Sequence, residues 1–113
     1  MVLPIKKKWF DMILSGEKKE EYREIKPYYR TRLYHEGFLD QYGLPTLWED
    51  WVLFRNGYFK NSPSFKALCT VDIAEGRAEW GAEPGKEYYR LHIKEVQQEA
   101  KVHGWYKAPP CDV

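Results

Sequence analysis

Between Phe10 and Arg23 the chain changes its period, and that change constrains the fold more than any other stretch. Phe10, Ile13 and Leu14 recur at three- and four-residue spacing, one face of a short helix, and Gly16 stands where a left-handed cap ends it. The helix stops at or near Ser15. From there Gly16-Glu17-Lys18-Lys19-Glu20-Glu21-Tyr22-Arg23 runs into extended chain of period two. Lys19, Glu21 and Arg23 share one face of that strand, and Glu20, Tyr22 and Glu24 share the other. Lys18, at the turn, leans over the first face, so a lysine, a carboxylate and an arginine come within reach of one another. The same spacing describes alternating charges on a solvated edge strand, worth about 0–1 kcal/mol per exposed pair. The local sequence leaves both readings open.

The rest of the chain continues in an α+β pattern. A first strand is expected over 2–6, a helix over 7–15, and a second strand over 18–25. Pro27 fits a first helical position, with Tyr29 and Leu33 on one face and Gly37 as a stop. From Phe38 to Trp51 no period holds, yet Leu39, Tyr42, Leu44, Leu47 and Trp48 imply a packed insertion. Strands through Val52–Phe54 and Phe65–Ile73 follow, separated by the turn-rich Asn56-Gly57 and Asn61-Ser62-Pro63. In the second of these, Phe65, Ala67, Cys69, Val71 and Ile73 alternate as one buried face, which makes Cys69 a small buried thiol. The last strand runs through Tyr88–Val96 after Pro84-Gly85. Its Tyr89, Leu91 and Ile93 point to a core, while Tyr88, Arg90, His92 and Lys94 form a polar, basic and aromatic face. That face suits either a nucleic-acid surface or a solvated exterior.

With 113 residues, 43% of them hydrophobic and 17% aromatic, the chain has the material for a single domain spanning 1–113. No segment approaches a membrane span, and Lys6, Lys7 and Lys8 interrupt any apolar leader at once, so a cytoplasmic location is the expectation. The formal net charge is only +1, and attraction to nucleic acid must come from local asymmetry. Such asymmetry exists: Lys6, Lys7, Lys8, Lys18, Lys19, Arg23, Lys26, Arg30 and Arg32 crowd the first third, ahead of the acidic Glu36, Asp40, Glu49 and Asp50. Trp9, Tyr22, Tyr28 and Tyr29 interleave with those cations, as in surfaces that track a phosphate backbone and stack its bases. Trp48, Trp51, Trp80 and Trp105 raise an aromatic cage as a further idea, although most such rings are structural in a small domain. Cys69 and Cys111 make no disulfide framework, and His35, His92 and His103 share no metal-ligand spacing. No metal and no cofactor is expected. Cys111 lies in a terminus loosened by Pro109 and Pro110, and Cys111-Asp112-Val113 is a residue short of a prenylation box.

Leu3-Pro4-Ile5-Lys6, the helix with Trp9, the Gly16/Lys18/Glu21/Arg23 spacing, Trp80-Gly81 and the stretch Tyr88–Ile93 together resemble the ASCH family of the PUA-like superfamily, in a small single-domain form of bacterial or phage type. The resemblance covers most of the chain. It implies a small, partly open β-barrel with flanking short helices and a cleft beside the lysine-bearing turn. It also implies RNA, a nucleotide or a modified nucleoside as partner. Position by position, the lysine of a deacetylating branch falls on Lys18 and its strand arginine on Arg23, while the attacking threonine of that branch falls on Glu21. A glutamate there changes the chemistry: it acts as a general base or holds Lys18 and Arg23 in place. Asp72, Glu75 and Glu83 are the candidates for a second, more distant glutamate of that branch. The resulting expectation is a cleft in which Trp9, Lys6, Lys18 and Arg23 bind ligand, with Lys18 and Glu21 as the groups that would carry catalysis. The alternatives are a metal-independent hydrolase of RNA or of an acylated nucleoside, and a protein interaction module. Oligomeric state is left open.

Overall fold

The alternation from Phe65 to Ile73 becomes the spine of a curled sheet. The computed structural model describes residues 1–98. Its elements are β1 (Val2–Pro4), α1 (Lys7–Leu14), β2 (Glu20–Arg23), α2 (Pro27–His35), β3 (Asp50–Arg55), β4 (Ser64–Glu75), a 3-10 turn (Ala78–Trp80) and β5 (Glu87–Gln98). The strands form one five-stranded sheet in the order β1-β3-β4-β5-β2, parallel between β1 and β3 and antiparallel elsewhere. Together with the two helices they make a mixed α+β fold whose sheet curls into half a barrel.

The curl has a local cause. The β4–β5 register steps from Leu68↔Glu95 to Cys69↔Ile93, which leaves Lys94 as an extra residue in β5. Such a bulge bends and twists the two long strands it interrupts. Phe65, Ala67, Cys69 and Val71 all point inward and are buried. Phe65 meets Phe10 of α1 edge to face, with centroids 4.9 Å apart, and Phe54 of β3 at 5.5 Å. Ile13 of α1 and Leu33 of α2 complete the lid over the concave face. The buried Cys69 thiol has its pKa pushed up to about 12 by desolvation, which leaves it inert.

The helix end lies where the change of period places it. Ser15 is the last half-helical residue and Gly16 takes φ 86°, a conformation that costs a residue with a Cβ about 1–2 kcal/mol. Gly16 N–H then bonds to the Ile13 carbonyl at 3.1 Å and Lys18 N–H to the Met12 carbonyl at 2.9 Å, turning the chain into β2. The strands expected over 2–6 and 18–25 are shorter than their patterns, because ladder pairing covers only Val2–Pro4 and Glu20–Arg23. β3, β4 and β5 run longer at one or both ends than their apolar patterns.

The segment 38–49 departs from the expectation of a packed insertion. Phe38 and Leu39 are buried, but Tyr42, Leu44, Leu47 and Trp48 are exposed. Polar bonds, and not apolar packing, hold this turn. Leu39 and Pro45 form a bridge, and Asp40 Oδ1 accepts from the N–H groups of Tyr42 (2.8 Å) and Leu44 (3.0 Å). His103, Trp105, Pro109, Pro110 and Cys111 lie outside the described residues. No helix among the described residues is long and apolar enough to cross a membrane.

Phe65 carries contacts from a helix and a neighbouring strand at once, so Phe65→Ala is expected to lower unfolding stability by about 3–5 kcal/mol. Urea unfolding followed by circular dichroism checks this, and a loss under about 1 kcal/mol would place the core elsewhere.

Candidate functional site

A half-barrel leaves two strand edges facing each other without a ladder between them. On β1, the Met1 carbonyl accepts from Leu53 N–H at 3.0 Å, and Ile5 N–H reaches Arg55 at 2.8 Å, both toward β3. Alternation turns the carbonyls of Val2 and Pro4 the other way. Arg23 of β2 donates from Nη2 to the Pro4 carbonyl (2.8 Å), and Arg32 of α2 donates from Nη2 to the Val2 carbonyl (2.9 Å). Two guanidinium groups therefore serve the edge that a sixth strand would otherwise pair.

Glu21 lies between the cations of this seam. Its Oε1 is 3.1 Å from Lys18 Nζ and its Oε2 is 3.1 Å from Arg23 Nη2. The side chains of Lys18 and Glu21 are 1% and 6% exposed, so this is a buried cluster and not a decorated edge. Lys18 Nζ also donates to the Trp80 carbonyl and lies 4.5 Å from the Trp9 ring centroid and 5.0 Å from that of Tyr22. Burial lowers the Lys18 pKa from its ordinary 10.5, while Glu21 opposes that shift. With one carboxylate between two cations, the cluster carries a surplus positive charge.

The cluster floors a cleft of about 650 Å³. Lys6, Arg23 and Arg32 line it against the single carboxylate of Glu21. Much of the remaining wall is aromatic: Trp9 from α1, Tyr22 from β2, Tyr28 and Tyr29 from α2, Tyr58 from the β3–β4 turn, and Trp80. Helix α1 starts on this lining, at Lys6–Lys7, and α2 starts beside it, at Lys26–Pro27; neither has a side-chain cap or an acidic residue in its first turn. Their uncompensated N–H groups add positive potential at the same place. The wall that carries Trp80 is fixed from behind. Tyr22 donates to Glu20 Oε1 (2.7 Å) and accepts from Arg77 N–H (2.9 Å), and Gly81 at φ 104° lets the chain pass Trp9, where a Cβ would lie 3.0 Å from the indole. Desolvation raises the Tyr22 pKa, so its hydroxyl stays a donor.

The residues singled out from the sequence thus come together: Trp9, Lys18, Glu21 and Arg23 meet, with Lys6 on the cleft lining. Lys18 sits beneath that lining and is reached through Glu21. Trp9 lines the cleft, but the ammonium groups of Lys8 (4.7 Å) and Lys18 lie over its ring. Asp72, Glu75 and Glu83 stay out of the cleft lining. Asp72 instead holds Arg90 through two bonds of 2.8 Å, which keep its carboxyl below the usual range, and lies 2.9 Å from His92 Nε2. The expected basic face of β5 is therefore charge-balanced, and its Tyr88 is buried, with its hydroxyl accepting from Glu83 N–H. Among the described residues the tryptophans do not assemble into one cage: Trp48 and Trp51 lie away from the cleft lining. Arg32 belongs to the site through its position four residues after Tyr28, to which it donates at 3.2 Å. In the sequence Arg32 stood out only as one of the cations crowding the first third, and Trp80 only as part of the Trp80-Gly81 pair.

Glu21→Gln leaves Lys18 buried without a counter-charge and is expected to cost about 3–5 kcal/mol in urea unfolding, with Lys18→Met in the same chain returning much of it. A pH effect follows from Lys18. Its folded pKa lies below the unfolded 10.5, so in the window between them the unfolded chain binds more protons and stability rises with pH. Wild type is expected to gain on Lys18→Met as the pH rises toward 10.5, measured as the difference in urea midpoints; a flat difference would mean that Lys18 is not desolvated. No family model, curated protein or solved structure matches the chain, and its function is read from the cleft itself.

Proposed function

We propose that the chain is an ASCH-type domain of the PUA-like superfamily, and that its cleft binds RNA or a nucleotide in the cytoplasm. The observation that carries this reading is the buried Lys18–Glu21–Arg23 cluster, with its surplus positive charge, under a cleft walled by aromatic rings. Phosphate supplies the missing negative charge, and a base supplies a flat apolar face for stacking, worth about 1–3 kcal/mol per base. In this reading Lys6 and Arg23 take phosphate, assisted by the uncapped helix starts, and Tyr28, Tyr29 and Trp80 offer the platforms. Glu21, itself anchored by Lys18, holds Arg23 in a bridging position between β1 and the ligand.

Binding is favoured over hydrolysis by two features. Both Glu21 oxygens are engaged by cations, so action as a base requires releasing one of them. Among the described residues, the cleft lining also holds no serine, threonine or cysteine to stand in for an attacking threonine.

The test is a titration of the protein with 5′-mononucleotides and short single-stranded RNA, read by tryptophan fluorescence. Affinity is expected to fall with salt by a log–log slope of about 0.7 per phosphate contacted, and to drop roughly tenfold in Arg23→Met and in Lys6→Ala. Absence of binding at about 50 mM salt would overturn the proposal. Turnover of the RNA or of an acylated nucleoside that is lost in Glu21→Gln while binding persists would replace it by the hydrolase reading.

A further inference from the structure

Resting on that reading, we infer that the ligand is a single strand and not a lone nucleotide, and that a second cavity across α2 seats another base of the same strand. Helix α2 divides two spaces of similar size. Tyr28, Tyr29 and Arg32 face the cleft already described, whereas Pro27, Arg30, Thr31 and Tyr34 face a second cavity, also of about 650 Å³. That cavity repeats the chemistry of the first. Ile25, Tyr34 and Tyr89 supply apolar and aromatic walls, and Lys26, Arg30 and His35 supply the polar rim.

In the lining, two cations, Lys26 and Arg30, stand against one carboxylate, Asp40. Among the described residues Asp40 is the one carboxylate of the lining, and its Oδ1 accepts from the N–H groups of Tyr42 and Leu44 in its own turn. Lys26 is shared with Glu24 at 3.2 Å, but among the described residues no carboxylate lies within ion-pair distance of Arg30. A helix is about 10–12 Å across with its side chains, a span that a few linked nucleotides cover, and single-strand grooves engage upward of about four. Pro27 belongs to one cavity and Tyr28 to the other, so the shortest crossing passes the start of α2, where no side chain caps the helix. A mononucleotide in the cleft leaves the second cavity empty. A strand fills both and places a phosphate between them.

The experiment compares a 5′-mononucleotide with a mixed-sequence RNA of about six residues on the full chain, in wild type, Arg30→Ala and Tyr34→Ala. Arg30 and Tyr34 lie outside the first cleft and on the exposed side of α2, so both variants keep the fold, checked by circular dichroism. The expected result is RNA binding tighter than mononucleotide binding by roughly tenfold or more in wild type, and each substitution removing most of that gain with mononucleotide affinity unchanged. Equal affinities for RNA and mononucleotide, or a gain untouched by both substitutions, overturns the second cavity while leaving the first cleft standing. A polyphosphate of matching charge that binds as tightly as the RNA overturns the seating of a base. Failure of wild type to bind either nucleic-acid probe removes the proposed function, and this inference with it.

Discussion

Glu21 holds two cations on the one edge of β2 that has no ladder partner, and the open side of the sheet is organised around that arrangement. An exposed strand edge invites pairing with another chain. Among the described residues no further strand pairs this edge; instead Arg23 and Arg32 reach the carbonyls of Pro4 and Val2 from β2 and α2. A guanidinium is long and planar, so it bridges the edges and still leaves space between them. That space is the cleft. A sixth strand would have closed the barrel and filled it.

The geometry of the seam also explains the wall opposite α2. Lys18 is buried, and its ammonium needs acceptors; it finds one in Glu21 and another in the Trp80 carbonyl. The turn that carries Trp80 is thereby tied to β2 from within, and Tyr22 ties it again through Arg77 N–H. Arg77 stacks over the Trp80 ring at 4.7 Å and is clamped by Glu79, so the indole is braced on its own turn. A segment without a long helix or strand is in this way made rigid enough to serve as a wall.

Much of this was legible in the sequence where one local rule decided the outcome. The period change at Gly16 put Lys18, Glu21 and Arg23 together because a strand has only two faces and Gly16 ends the helix. The alternation Phe65–Ile73 identified the spine for the same reason. What was not legible depended on partners distant in sequence. The apolar residues of 38–49 suggested a packed insertion, but bonds from Asp40 and Thr46 shape that turn, leaving Leu47 and Trp48 outside. Tyr88, Arg90 and His92 read as one basic face until Asp72 and Glu20, both placed by register, neutralised it. Alternation tells which residues share a face; it does not tell which carboxylate stands on the next strand.

The depth of Lys18 has a consequence for what the cluster is for. Replacing a buried ion pair by apolar side chains of similar volume is often neutral or stabilising, since desolvation of the charges offsets their attraction. A chain selected for stability alone would lose little by filling this seam with leucines, as it has filled the concave face with Leu3, Ile13, Leu33 and Leu91. The seam keeps two cations and one carboxylate, and the cleft above them adds Lys6 and Arg32 without a second carboxylate. Within the fold, desolvation leaves this surplus charge costly, and an anion seated in the cleft relieves that cost. On the proposed reading, phosphate in the cleft would offset the energy given up in burying Lys18, and on that ground the cluster suits a binding site better than a structural one.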